Sequence, residues 1–220
     1  GDDVINNAAY DTNDDIRRGA GNDTISAGRG SDGIDAGSGD DVVNELGVLS
    51  GLQGDTLEGG AGTDTLNLDV SAESGTRGPG IATALVYMPT NATGGQFTTL
   101  DANSPLPTIQ TSLSATVKML YRSGWTDVSA SGFEIVNITG TTTNDLLIYQ
   151  IGTTYDGKAG TDTFYANWSD RTAPVVWTNT GAAYTYEGIT VSNVERLLLQ
   201  TGSGDDVINN AAYDTNDDIR

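Results

Sequence analysis

Apolar residues are sparse in the first third of the chain, and one of them returns at a fixed interval. From Arg18 to Asn44 it reads RGAGNDTIS, AGRGSDGID, AGSGDDVVN, and Ile25, Ile34 and Val43 recur every nine residues in a field of Gly, Asp, Asn and Ser. One apolar side chain between polar neighbours is the shortest segment that alternates inside and out, and so predicts a three-residue strand. A nine-residue period is too short for a helical repeat and fits a half-turn of one strand and one tight turn. Carried outward, the register predicts inward side chains at Ile5, Ile16, Ile25, Ile34, Val43, Leu57 and Leu66. No apolar 3.6-residue period with caps persists, so the predicted class is all-β.

The polar positions carry the chemistry. Each unit has Gly at its second and fourth places (Gly19/Gly21, Gly28/Gly30, Gly37/Gly39) and Asp at its sixth (Asp23, Asp32, Asp41). Gly60 and Gly62 stand in the same way before Asp64. Glycine admits positive φ and lets carbonyl groups converge where a Cβ would intrude. A carboxylate joined to such carbonyls is an oxygen-only donor set, which suits Ca²⁺. The pattern resembles the RTX (haemolysin-type) calcium-binding nonapeptide repeat, G-G-x-G-x-D-x-U-x, with the first Gly replaced by Arg18, Ala27 and Ala36. The resemblance implies a parallel β-roll with several Ca²⁺ ions bound between its turns.

Two units per turn place same-side neighbours eighteen residues apart, as in Asp14/Asp32 and Asp23/Asp41. Asp3 to Asp23 is twenty, which implies a two-residue bulge near Asn7 and Ala8, and Asp32/Asp55 and Asp41/Asp64 are both twenty-three, which one five-residue insertion within Glu45–Ser50 explains. The expected edges are therefore Asp3, Asp23, Asp41, Asp64 and Asp14, Asp32, Asp55. At a row spacing of about 4.8 Å, two bare carboxylates repel by about 3.5 kcal/mol at an effective dielectric of 20. Along a whole edge that rivals the roughly 5–15 kcal/mol stability of a domain. Cations between rows turn the repulsion into coordination, so binding free energy becomes folding free energy.

The rest of the chain divides by composition. Residues 1–67 are the expected roll. Residues 68–139 hold most of the prolines and strand-like runs at Ile81–Met88, Ala115–Tyr121 and Phe133–Ile138, with an irregular stretch at Thr90–Thr111; they are expected to form a long β-rich excursion that rejoins the stack. Residues 140–168 are a short repeat-like segment, 169–201 a second, short excursion, and 202–220 the start of another copy. Two internal similarities support this: GGAGTDTLNLDVS from Gly59 matches GKAGTDTFYANWS from Gly157, and FEIVNITGTTTNDLLIY from Phe133 matches VERLLLQTGSGDDVINN from Val194. Asp145 and Asp162 are seventeen apart, close to one turn, and with Asp206 complete the expected metal residues, although Thr154 holds the acid place between the first two.

GDDVINNAAYDTNDDIR occurs at Gly1–Arg17 and again at Gly204–Arg220. The chain reads as one period of a tandem array plus the beginning of the next, or as a chain deliberately closed on itself. In an array the neighbouring copy covers the open strand edges, so copies of this repeat are the expected partners, end to end or side by side.

Charge and missing residue types narrow the functions. A formal charge of −20 argues against nucleic acid. The absence of Cys and His removes disulfides, thiolate sites and the usual general base. No stretch is long and apolar enough for a transmembrane helix. Glu134 and Glu195 recur at equivalent places, which favours row closure or amide capping over acid–base work. Trp125, Trp168, Trp177, Tyr165, Tyr184 and Tyr186 offer either core filling or a sugar-stacking face. The expectation is a non-enzymatic structural repeat of a secreted, extracellular bacterial surface protein, such as an adhesin stalk, surface layer or filament. The resemblance implies type I export, and sites with Kd on the order of 10⁻⁴–10⁻³ M would fill only outside the cell. The alternatives are a module whose 68–139 excursion binds surface glycans or another partner, and a module accessory to a secreted enzyme.

Overall fold

A computed structural model of the chain describes residues 1–10, 12–46, 54–71, 86–89, 119–123 and 126–220. The stretch Thr90–Thr111, most of the runs at 81–88 and 115–121, insertion residues 47–50 and Trp125 lie outside the described residues. The described chain is all-β, without helix, and its strands pair mainly in parallel. No helix among these residues is long and apolar enough to cross a membrane.

Early strands alternate between two sheets. Sheet one receives β1 (Val4–Asn6), β3 (Thr24–Ser26), β5 (Val42–Leu46) and β7 (Thr65–Asp69); sheet two receives β2 (Asp15–Arg17), β4 (Gly33–Asp35) and β6 (Thr56–Glu58). Each strand lies parallel to the one a full turn away. The register aligns Ile5, Ile25, Val43 and Leu66 on one face and Ile16, Ile34 and Leu57 on the other. From the second turn onward these side chains are buried in a common core. Full burial of each contributes about 1.5–3 kcal/mol. Ile5 and Ile16 are only half-buried, because an end row has a neighbour on one side. The extra residues between β1 and β2 form a turn at Ala8 and Ala9. Outside sheet one, Asn67 donates to Asn44 and Asn137 to Asn67, both at 2.8 Å, a side-chain ladder across three rows.

The described strands of the long excursion belong to the stack. Its strands β8 (Val86–Pro89), β9 (Met119–Ser123) and β10 (Thr126–Ser131) pair antiparallel and take their place within sheet two, between β6 and β12 (Leu146–Ile148). β10 runs parallel to β6 and β8 parallel to β12. The chain then returns to sheet one as β11 (Ile135–Thr139), parallel to β7, followed by β13 (Thr153–Asp156). Sheet two continues with β14 (Thr163–Asn167), β18 (Arg196–Gln200) and β20 (Asp218–Ile219). A hairpin of β16 (Tyr184–Tyr186) and β17 (Ile189–Ser192) ends sheet one, while β15 (Val176–Thr178) pairs with β19 (Val207–Asn209).

Wide rows in this half are filled by aromatic residues. Phe164 stacks on Trp177 with centroids 5.1 Å apart, and Trp168 lies 6.0 Å from Trp177. Tyr165, Trp168 and Trp177 are buried, and Tyr184 and Tyr186 pack against the core cluster. Phe164, Trp168, Trp177, Tyr184 and Tyr186 form one set of ring contacts.

Candidate metal centre

The sixth-place carboxylates stack in columns, and a turn-by-turn hydrogen bond fixes each one. The amide of Asp3 donates to Oδ1 of Asp23, that of Asp23 to Asp41 and that of Asp41 to Asp64, at 2.7, 2.7 and 2.8 Å. On the opposite edge Asp14 donates to Asp32 at 2.8 Å and Asp32 to Asp55 at 2.7 Å. Both expected edges are thus single columns. The five-residue insertion leaves them intact.

The first column ends on a glutamate. The Asp64 amide donates to Oε2 of Glu134 at 2.9 Å, across 70 residues of sequence. A third column repeats the design: Asp145 donates to Oδ1 of Asp162 at 2.7 Å, and Asp162 to Oε2 of Glu195 at 2.8 Å. At both endings two successive amides share one carbonyl, Glu134 and Ile135 on Asp64, Glu195 and Arg196 on Asp162. The two glutamates therefore cap backbone amides. The second column ends differently, because the register sets buried Val128 beside Asp55.

Each bonded Asp leaves its second oxygen inside. The Oδ2 atoms of Asp23, Asp32, Asp41, Asp55, Asp64 and Asp162 are buried without a hydrogen-bond partner. A buried polar atom with no partner is costly and calls for an ion or water. Burial raises the carboxyls of Asp32 and Asp64 above the ordinary range, Asp55 to about 7 and Asp162 to about 9, with the neighbouring carboxylate pushing the same way. Asp145 differs, since both of its oxygens accept from Thr141, through the amide and the hydroxyl. Asp206 stands apart from the three columns and accepts the Val175 amide at 2.8 Å.

The turns beside the columns require glycine. Gly39 has φ +132°, and a Cβ there would strike the Gly21 carbonyl in the preceding row. Gly62 repeats this over Gly39, and Gly28, Gly30, Gly37, Gly60 and Gly21 also have positive φ. Gly19 is the exception: its φ lies outside that range and a Cβ would meet nothing within 4 Å. The turns form their own parallel ladder through Ala20, Ser38 and Ala61.

The expected acid place at Thr154 is corrected. Thr154 faces outward on β13, and register with Glu134 falls on Ile151. Asp145 and Asp162 nonetheless lie in adjacent rows, because the half-turn between them belongs to the other sheet.

Two features were missed in the sequence. The fifth place carries a reciprocal ladder: Asn22 donates to Asp2, Asp40 to Asn22, Thr63 to Asp40 and Ser31 to Asn13, each amide to Oδ1 at 2.9 Å. Its signal was a short polar residue before each sixth-place Asp of the roll except Asp55, which follows Gly54. The second is Glu45, which takes an inward place in register with Leu68, fully buried and with both carboxylate oxygens unpartnered. Burial, then Asp55 and Asp32, raises it to about 9.

Among the described residues no three Asp or Glu side chains form a metal cage by themselves. A hard cation at these columns must combine carboxylate with backbone carbonyl oxygen. The unpartnered Oδ2 atoms beside glycine turns fit that donor set. No protein-family model matches the chain, and comparison with curated proteins finds no significant relative.

Proposed function

We propose that this chain is a calcium-stapled structural repeat, an RTX-type β-roll with β-rich excursions, from a secreted, tandemly repeated extracellular or surface protein. The observation that carries the reading is the row of buried, unpartnered Asp Oδ2 atoms along both edges of the stack. Asp23, Asp41 and Asp64 would hold ions on one edge, Asp32 and Asp55 on the other, with Asp162 in the second module. Bound Ca²⁺ supplies positive charge that offsets the stacked carboxylates. The protein's part is to fix the carboxylates by amide bonds and keep the turns free of Cβ atoms. Weak sites would stay empty in the cytosol and fill outside, so folding follows export. No catalysis is assigned: Glu134 and Glu195 cap separate columns. The test is circular dichroism across a calcium titration. Little β signal in chelator and a cooperative gain near millimolar calcium are expected; equal stability in chelator and calcium would remove the metal from the account.

A further inference from the structure

The seventeen-residue segment present at both ends is held in two different settings. At 1–17 it is the first turn, covered by β3 and β4 on its following side. Asp3 and Asp14 give their amides to Asp23 and Asp32, and the Asn7 amide donates to the Ser26 carbonyl. At 204–220 it is the last turn, resting by its preceding side on β15 and β18. There Oδ1 of Asp206 accepts the Val175 amide and Oδ1 of Asp217 the Leu197 amide, while Val207 donates to the Val175 carbonyl. None of these segment atoms serves in both sets, so one segment can make both at once.

Exposure shows the same complementarity. Val4 is 81% exposed and its twin Val207 56%. Tyr10 is 63% exposed, whereas its twin Tyr213 is half-buried, with its hydroxyl against Gly181. Asn7 is half-buried, but its twin Asn210 is buried, donates to the Glu195 carbonyl at 2.7 Å and accepts from Asn179 at 2.8 Å. Conversely Ile219 is 43% exposed while its twin Ile16 packs beside Ile34. Each twin displays the face that the other covers.

We infer that the surface formed by β15, β18, Asn179 and the Glu195 carbonyl is a docking site for residues 1–17 of a second copy of this chain, and that residues 204–220 occupy it in cis as a cap. This deepens the tandem-unit reading and rests on it. The exposed face of 1–17 has the same sequence as the face that 204–220 presents to this site. Docking adds parallel strands to a sheet end. The contact is head-to-tail and need not close, so it builds filaments. Tethered in the same chain, residues 204–220 have a high effective concentration and outcompete residues 1–17 of a free copy.

The test weakens the cap and spares its twin. In saturating calcium, the full chain with Ile208→Asp and Asn210→Ala is compared with wild type by light scattering after size exclusion. Wild type is expected at the mass of one copy. The variant is expected at two copies or more, growing with concentration and returning to one copy when Ile5→Asp and Asn7→Ala are added. A free peptide GDDVINNAAYDTNDDIR should bind the variant and shorten its oligomers, whereas a scrambled peptide should not. A variant with the wild-type β signal that stays monomeric and takes up no peptide overturns the docking site, as does assembly that survives the Ile5 and Asn7 changes. Should the double change cost the β signal, Tyr213→Ala replaces it and peptide uptake decides by the same criteria. The calcium titration fails separately, through a β signal indifferent to chelator, so loss of the metal reading and loss of the docking site are distinguishable.

Discussion

Removing divalent cations should invert the usual pH dependence of this fold. Carboxyls raised in the folded state bind more protons folded than unfolded, so stability falls as pH rises from the ordinary carboxyl range to the raised value. Glu45 and Asp162 are raised to about 9 and Asp55 to about 7. For Asp162, a change from near 4 to about 9 corresponds to about 7 kcal/mol when the group ionises. Halved for relaxation around the charge, it is still about 3–4 kcal/mol, a large share of a stability of roughly 5–15 kcal/mol. Neighbouring carboxyls in one column are coupled, so their contributions do not simply add. Glu187 and Asp218, held low by hydrogen bonds from Arg171 and Arg220, lose their pairing only at more acid pH.

The assay is urea unfolding followed by circular dichroism, in chelator and in millimolar calcium, from pH 9 down to about 5. In chelator the midpoint should rise as pH falls, and a chain unfolded at pH 8 should regain β signal on acidification. In calcium the trend should reverse, because protons compete with the ion for the same oxygens. A chelated protein whose midpoint is flat or climbs between pH 5 and 8 would refute the reasoning.

Substitutions at five positions separate the parts of the site. Asp41→Asn keeps an amide acceptor for Asp23 but removes a charge, so the calcium midpoint in a dichroism titration should rise about tenfold while the metal-free fold gains stability. Gly39→Ala should cost more than about 2 kcal/mol in urea unfolding, since it meets both positive φ and the Gly21 carbonyl, whereas Gly19→Ala should stay within about 1 kcal/mol. Glu134→Ala should cost about 1–3 kcal/mol by leaving the Asp64 amide without its acceptor, and Glu134→Gln should recover most of that, both read as urea midpoints. Glu45→Leu, matching Leu68 beside it, should stabilise the chelated protein and flatten its pH dependence above neutrality.

What the sequence made legible was whatever kept the period. Ile25, Ile34 and Val43 set the inward face, and sums of eighteen, twenty and twenty-three residues set the partners, so Asp3, Asp23, Asp41 and Asp64 could be stacked without coordinates. The direction of the amide bonds was not legible, because a backbone donor leaves no mark in a side-chain pattern. Glu45 was hidden because it stands where the insertion breaks the register, and an acid beside Asn44 reads as solvent-facing. The return of β8, β9 and β10 to sheet two was hidden for a related reason: antiparallel pairing imposes no fixed period on the sequence.

The change from Asp to Glu at two column ends follows from those excursions. A row that rejoins the stack after a long detour still enters in register, with Ile135 beside Thr65 and Arg196 beside Thr163. At Glu134/Ile135 and again at Glu195/Arg196, two amides face one carbonyl. Glutamate has one more methylene than aspartate, and its carboxylate still reaches the amide of the row before. The cap therefore tolerates whatever lies between its partners, whether 70 residues for Asp64 and Glu134 or 33 for Asp162 and Glu195. Rows joined by a nine-residue half-turn have no such tolerance, because a one-residue change there would turn every inward side chain out. Freedom of length is thus greatest at the rows ended by glutamate, while the aspartate rows admit insertions of only two and five residues.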